Sequence, residues 1–224
     1  MNQMVHTKRT SRRVRAKEPP SESGRTNDPE RTKANIMEVA AAEFGEKGLA
    51  GARIDEIAAA TQTSKRMIYY YFGSKEGLFL AVLEESYRRV RDIESDLHLQ
   101  DLEPEAALRR LVAFTFDHHL ANENYIRLVM SENINRGQYL AQSPRIQELN
   151  VPAIAAIRDL YERGLRKGVF RPGLDPVDIH ASISALSFFN VSNRHTFGVL
   201  FGRELSAPEV RQQHRTMIVD TILA

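Results

Sequence analysis

From Glu76 to the C-terminus, nearly every stretch of this chain repeats its apolar residues at helical spacing, and no run of useful length alternates at the strand period. That pattern restricts the chain to an all-α fold. Amphipathic helices are predicted over about Glu76 to Leu97, Pro104 to Ala121, Asn124 to Arg136, Ile146 to Lys167, Asp175 to Arg194 and Pro208 to Leu223. The punctuation agrees, because Pro104, Pro144, Asp175-Pro176 and Pro208 stand where a first helical turn tolerates proline, and Gly168 and Gly173 mark a turn. With 224 residues, 42% of them hydrophobic and 27% charged, the chain can bury a substantial core.

The N-terminal half is cut into shorter pieces. Asp28-Pro29-Glu30 combines an N-cap aspartate, a first-turn proline and a first-turn acid, so a helix is predicted to start there. Ile36, Val39, Ala40 and Phe44 form its apolar face, and Lys47-Gly48 ends it. The glycines at 45, 48 and 51 close a helix, whereas a phosphate-cradling loop follows a strand and opens one. A second helix is predicted from Ile54 to Thr61, then a break at Gln62-Thr63-Ser64. Ser64 caps a third helix from Lys65 to Phe72, and Gly73-Ser74 interrupts before a long fourth helix begins at Lys75.

Absence of cysteine excludes a disulfide framework and a thiolate zinc site, and the expected location is cytoplasmic. Apolar runs such as Phe197 to Phe201 fall far short of the roughly 20 residues that cross a bilayer, so no membrane partner is expected. Net charge is +2, yet Lys8, Arg9, Arg12, Arg13, Arg15 and Lys17 all precede the first acid, Glu18. Residues 1–28, with little to bury, are expected to form a disordered basic arm. Three readings of it stay open: a tether to DNA phosphates, a terminus without a role, or an organellar transit peptide. Glu84-Glu85 with Arg88, Arg89 and Arg91 reads most simply as a solvated helix surface.

The second and third helices, joined by a turn of three or four residues, have the dimensions of a helix-turn-helix. At 100° per residue, Ile68 and Phe72 share one face of the third helix. Arg66, Met67 and Tyr70 lie opposite, flanked by Tyr69 and Tyr71. Cations can contact phosphates or a guanine edge, and tyrosines can bond phosphate oxygens or pack on sugars. The competing account is that the tyrosines pack against neighbouring helices.

The run Ile57-Ala58-Ala59-Ala60, then Ser64-Lys65-Arg66-Met67-Ile68-Tyr69-Tyr70-Tyr71-Phe72-Gly73-Ser74-Lys75-Glu76-Gly77-Leu78, resembles the DNA-binding motif of the TetR family of regulators. The resemblance covers about Ile36 to Leu83 and is much weaker beyond. It implies a three-helix DNA-binding head joined by the fourth helix to a helical body that dimerises and binds a small molecule, usually acting as a repressor that the small molecule releases. It places DNA contacts at Arg53, Ser64, Lys65, Arg66, Met67, Tyr69, Tyr70, Tyr71 and Lys75. Three departures stand out. Ala52-Arg53 replaces capping threonines, Gln62-Thr63 replaces a turn glycine-valine, and Arg66 replaces a common glycine. If Gln62 must take a positive φ, the turn costs about 1 kcal/mol.

The expected division is thus 1–28 arm, 29–75 helix-turn-helix domain, and 76–224 effector-binding and dimerisation domain. Expected partners are a double-stranded palindromic operator, a small-molecule effector and a second copy of the chain. Apolar candidates for the dimer interface are Ile179, Ile183, Leu186, Val191, Met217, Ile218 and Ile222; the competing account is intrachain core, and different faces can serve both. Phe197 to Gly202 adds two glycines four apart that could permit close packing. Ligand candidates are Phe114, His118, Met130, Asn133 and Phe188; His118 or Arg127 facing the cavity would favour an anionic or hydrogen-bonding aromatic effector. No cofactor or metal is expected, since the neighbours His118 and His119 point about 100° apart. The alternatives are a ligand-independent DNA-binding or architectural protein and, without any nucleophile, metal or nucleotide motif in its favour, a helical enzyme.

Overall fold

A computed structural model describes residues 28–223 as ten α-helices and two short 3-10 turns, with no strand among the described residues. The expected basic arm, apart from Asp28, lies outside the described residues. Helix α1 runs Pro29–Gly51, α2 Ile54–Ala60, α3 Lys65–Phe72 and α4 Lys75–Ser95. The body follows as α5 Pro104–Ala121, α6 Glu123–Ile134, α7 Pro144–Arg166, α8 Pro176–Ser192, α9 Arg194–Phe201 and α10 Pro208–Leu223.

Each early boundary has a local cause. The Asp28 carboxylate accepts from the Glu30 and Arg31 amides, at 3.1 and 3.3 Å, and Ser64 and Ser74 cap α3 and α4 in the same way. Regular α1 geometry breaks at Gly48, where φ is 66°, and a further turn carries the helix to Gly51. Gln62 indeed takes a positive φ of 53°. Apart from shifts of one or two residues at helix ends, the body differs from expectation after α8. The helix predicted to reach Arg194 stops at Ser192, and Phe197–Phe201 belongs to α9, an additional helix. Gly202 closes it with φ 61°, its amide donating to the Gly198 carbonyl, so this glycine serves a helix end.

Two apolar cores organise the chain. The first joins Ile36, Phe44, Ile57, Ile68, Phe79 and Leu83 from α1–α4 to Leu128 of α6 and Ile146 of α7. The head is therefore packed directly onto the body, through α1 on α6 as well as through α4. The second gathers Leu111 and Phe116 of α5, Ile157 and Leu160 of α7, Ile183 of α8 and Ile218 of α10. Several residues expected at a dimer interface are consumed here. Ile183 and Ile218 are fully inside, Ile179, Leu186 and Ile222 pack against them, and Val191 is buried, because each sits on the inward face of its helix. Of that set, Met217 is exposed.

Candidate nucleic-acid interface and inner chamber

The face of α3 that points away from the core is polar and aromatic. Ile68 is completely buried and anchors the helix, while Tyr70 is 77% exposed and Tyr69 44%. Arg66 is exposed and makes no ion pair among the described residues. Lys65, by contrast, pairs with Asp55 of α2 and holds that carboxyl below its usual range. Arg53 is flanked by Asp55 and Glu56 at 3.8 and 4.0 Å. The two acids of α2 thus engage Lys65 and Arg53 and leave the Arg66 charge outward. Ser64 accepts from the Met67 amide and keeps its own hydroxyl proton for another acceptor.

Two of the sequence candidates are held more tightly than a freely projecting contact. Tyr71 is half-buried against the first core, with the Lys33 ammonium 5.5 Å from its ring centre. Lys75 donates to the Ala52 carbonyl at 3.2 Å and ties the start of α4 to the α1–α2 turn. Met67 is half-buried.

The body encloses a chamber of about 180 Å³ among α4, α5, α6, α7 and α8. Phe114, His118 and Phe188 line it, as expected from the sequence. Met130 and Asn133 lie outside this lining; Asn133 is exposed and donates to the Val129 carbonyl at 2.9 Å. Arg127 also turns elsewhere, its guanidinium bonding the Gly45 and Glu46 carbonyls of α1. Sequence reasoning missed Tyr87, Arg91, Glu94, His119, Tyr125 and His180, which line it together with smaller or less polar neighbours such as Val90, Thr115 and Val129. The sequence pattern places Arg91 on a solvated surface, but its side chain is only 13% exposed and pairs with Glu94, at 11%.

Burial sets the charges in this chamber. Desolvation, with the Arg91 charge adding to it, pushes the His118 and His180 imidazoles down, and His119 falls to about 4. All three are neutral at pH 7. Burial raises the Tyr87 and Tyr125 hydroxyls, and it raises Glu94 against the pull of Arg91. The Arg91 Nε and the Nδ1 atoms of His118 and His119 are shut off from solvent with no hydrogen-bond partner among the described residues. Arg91 and Glu94 also line a more open cleft of about 580 Å³ between α4 and α7, where Pro152 interrupts the backbone hydrogen bonding of α7. The pair is the partition between cleft and chamber.

A three-helix head packed onto a larger helical body is an arrangement that known proteins share. Residues 36–82 match the family described as bacterial regulatory proteins, tetR family, and residues 104–222 match the tetracyclin repressor-like C-terminal domain. The HTH-type transcriptional repressor NicS of Pseudomonas putida is 34% identical over 199 residues, 89% of this chain and 94% of that protein. The HTH-type transcriptional repressor SCO4008 of Streptomyces coelicolor is 39% identical over 139 residues, 62% of this chain and 69% of its own. The ketosteroid transcriptional regulator KstR2 of Mycobacterium tuberculosis superposes with a TM-score of 0.61 at 23% identity, covering 89% of this chain and 95% of that one, and shares the fold.

Proposed function

The chain belongs to the tetR family of bacterial regulatory proteins and is a DNA-binding transcriptional repressor rather than an enzyme, and from that premise we propose how its own residues divide the work. Residues 29–75 form the reading head and residues 76–224 the effector-binding and dimerising body. Arg66 and Tyr70 enter the major groove, with Tyr69 beside them, while Ser64, Lys65 and Arg53 face the phosphate backbone and Lys75 positions the start of α4 through the Ala52 carbonyl. The exposure of Tyr70 on a capped helix anchored by a fully buried Ile68 is the observation that carries this assignment. An aromatic residue left 77% exposed on a packed helix costs apolar hydration that a DNA partner would remove.

Two heads about 34–36 Å apart are needed for a palindromic operator, so the working unit is a homodimer acting in the cytoplasm. Its interface is the outer face of α8, which is apolar although its inner face is already in the core: Val177 and Phe189 are exposed there, with the small Ala181, Ser182 and Ala185 between them. A helix apolar all round is expected to be covered on both sides. A cleft of about 500 Å³ beside Ser182 and Ala185 adds room for partner side chains.

The chamber is the effector site. Helix α4 carries Lys75 at the head and Arg91 at the chamber, about 24 Å apart at 1.5 Å per residue. An effector that prefers the arrangement unable to span both half-sites weakens operator binding by the same free energy, of order 1–3 kcal/mol.

The test is binding to DNA upstream of the protein's own gene against scrambled DNA near physiological salt. Specific binding is expected to fall about 5- to 100-fold in Arg66→Ala and in Tyr70→Ala, with thermal stability unchanged. Equal binding to both DNAs with a steep salt dependence would remove the sequence-specific assignment of these residues.

A further inference from the structure

The inner chamber is too small and too unevenly charged to suit most effector classes. Its 180 Å³ only slightly exceeds the roughly 150 Å³ hole that holds a benzene molecule, so the space matches one six-membered ring with one or two small substituents and excludes fused rings and long alkyl chains. The walls suit such a ring. Tyr87 meets Tyr125 edge to face at 5.7 Å, Phe114 lies 5.5 Å from the His118 ring, and Phe188 stands perpendicular to His119 at 6.1 Å.

The polar groups fix the sign of the ligand's charge. Arg91 brings a guanidinium to the chamber wall, whereas burial disfavours the charged forms of Glu94 and of the three imidazoles. The chamber can therefore become more positive but not more negative. One nitrogen of the Arg91 fork, Nη1, already serves Glu94, but Nε is buried and unpartnered, as are the two imidazole Nδ1 atoms, which donate in one tautomer. A planar carboxylate suits a guanidinium edge with two parallel hydrogen bonds. A cation would have to take Glu94 and strand Arg91 further.

Resting on the chamber as the effector site, we propose that it takes a monocyclic aromatic carboxylate seated on Arg91, and that Glu94 is the internal competitor this ligand displaces. Glu94 lines both the chamber and the outer cleft, so it can swing toward the cleft and Arg145 without leaving its own helix. Displacement acts on α4, the helix whose first turn holds the reading head, and links ligand charge to operator release.

The probes are benzoate, benzamide and benzylammonium, isosteric in the ring and different in charge, titrated calorimetrically into the full chain at pH 7. Benzoate is expected to bind at least about 10-fold more tightly than the other two. Arg91→Gln should weaken benzoate at least about 10-fold, and Glu94→Gln should tighten it about 3- to 10-fold, since a competitor is removed. A purely structural Arg91–Glu94 pair would instead make both variants bind worse. Operator affinity retained by each variant confirms folding. Benzamide or benzylammonium binding as tightly as benzoate, or Glu94→Gln weakening benzoate, overturns the anion proposal and leaves the chamber as a ligand site. Failure of all three probes to bind at about 10 mM, with operator binding intact, overturns the chamber as effector site as well.

Discussion

Arg127, on α6, donates its guanidinium to the carbonyl of Gly45 on α1, and through Nη2 to that of Glu46 at 2.9 Å. These carbonyls lie just before the break at Gly48, where the last turn of a regular helix leaves acceptors without intrahelical partners and carries partial negative charge. A body residue thus closes a helix of the reading head. Replacing it with methionine keeps the stem packing and removes both bonds. Charged hydrogen bonds contribute roughly 1.5–3 kcal/mol each, and the side chain is 35% exposed, so a net loss of about 1–2 kcal/mol is expected. Thermal unfolding of Arg127→Met should shift down by about 2–8 °C, and amide exchange should quicken at 45–48 before it does in α5.

Gln62 holds a φ of 53° in the turn between α2 and α3. An L side chain there carries a steric cost that glycine avoids. Gln62→Gly should raise stability by about 0.5–1 kcal/mol, read as a Tm increase of about 1–4 °C, with operator affinity unchanged because the side chain is exposed and lies outside the set of residues assigned to DNA contact. A lower Tm would mean that the glutamine side chain contributes more than the strain removes.

Gly77 sits where α4 turns under the end of α3. A Cβ at this position would stand 2.1 Å from the Phe72 carbonyl oxygen, a backbone atom that also accepts from the Ser74 amide at 2.9 Å. The two helices cannot both stay in place if it is enlarged. Better helix propensity offsets about 1 kcal/mol of the cost in Gly77→Ala, leaving a net destabilisation of about 1–3 kcal/mol. Operator affinity should fall more than Tm does, because the displacement is local to α3.

What the sequence made legible was whatever is decided within a few residues. Asp28, Ser64 and Ser74 cap the helices they were expected to cap, and Ile68 against Tyr70 separates the inner from the outer face of α3. Contacts between distant segments were not legible. Nothing near Arg127 in sequence announces Gly45, and Arg91 sits in the same Glu- and Arg-rich stretch as Arg89, which is exposed; only the packing of α6 and α7 against α4, with α5 and α8 across the chamber, makes one of them a chamber residue. The aromatic and histidine lining was half found because Phe114, His118 and Phe188 are apolar or unusual on their helices, whereas Tyr87 and Glu94 look like surface until their neighbours are placed. The apolar residues of α8 and α10 were ambiguous for the same reason, since helical spacing shows that a face is buried without saying whether the cover is the same chain.

His119 should make the folded state acid-labile well above the range where carboxylates titrate. Buried beside His118, Arg91 and His180, its imidazole is held at about 4, against an ordinary value of 6.5. The folded pKa is the lower one, so between pH 6.5 and about 4 the unfolded chain binds the proton that the folded chain refuses. Stability is therefore complete above pH 6.5 and is lost as pH falls, by about 2 kcal/mol at pH 5 and on the order of 3 kcal/mol near pH 4. His118 and His180 shift in the same direction and add to the loss, while Glu94, raised by burial, opposes it in the lower part of the window. The difference between proteins isolates the one group. Tm of the parent should drop about 4–8 °C more than that of His119→Gln between pH 7 and pH 5, and parallel curves for the two would show that the His119 ring takes up its proton inside the folded chamber.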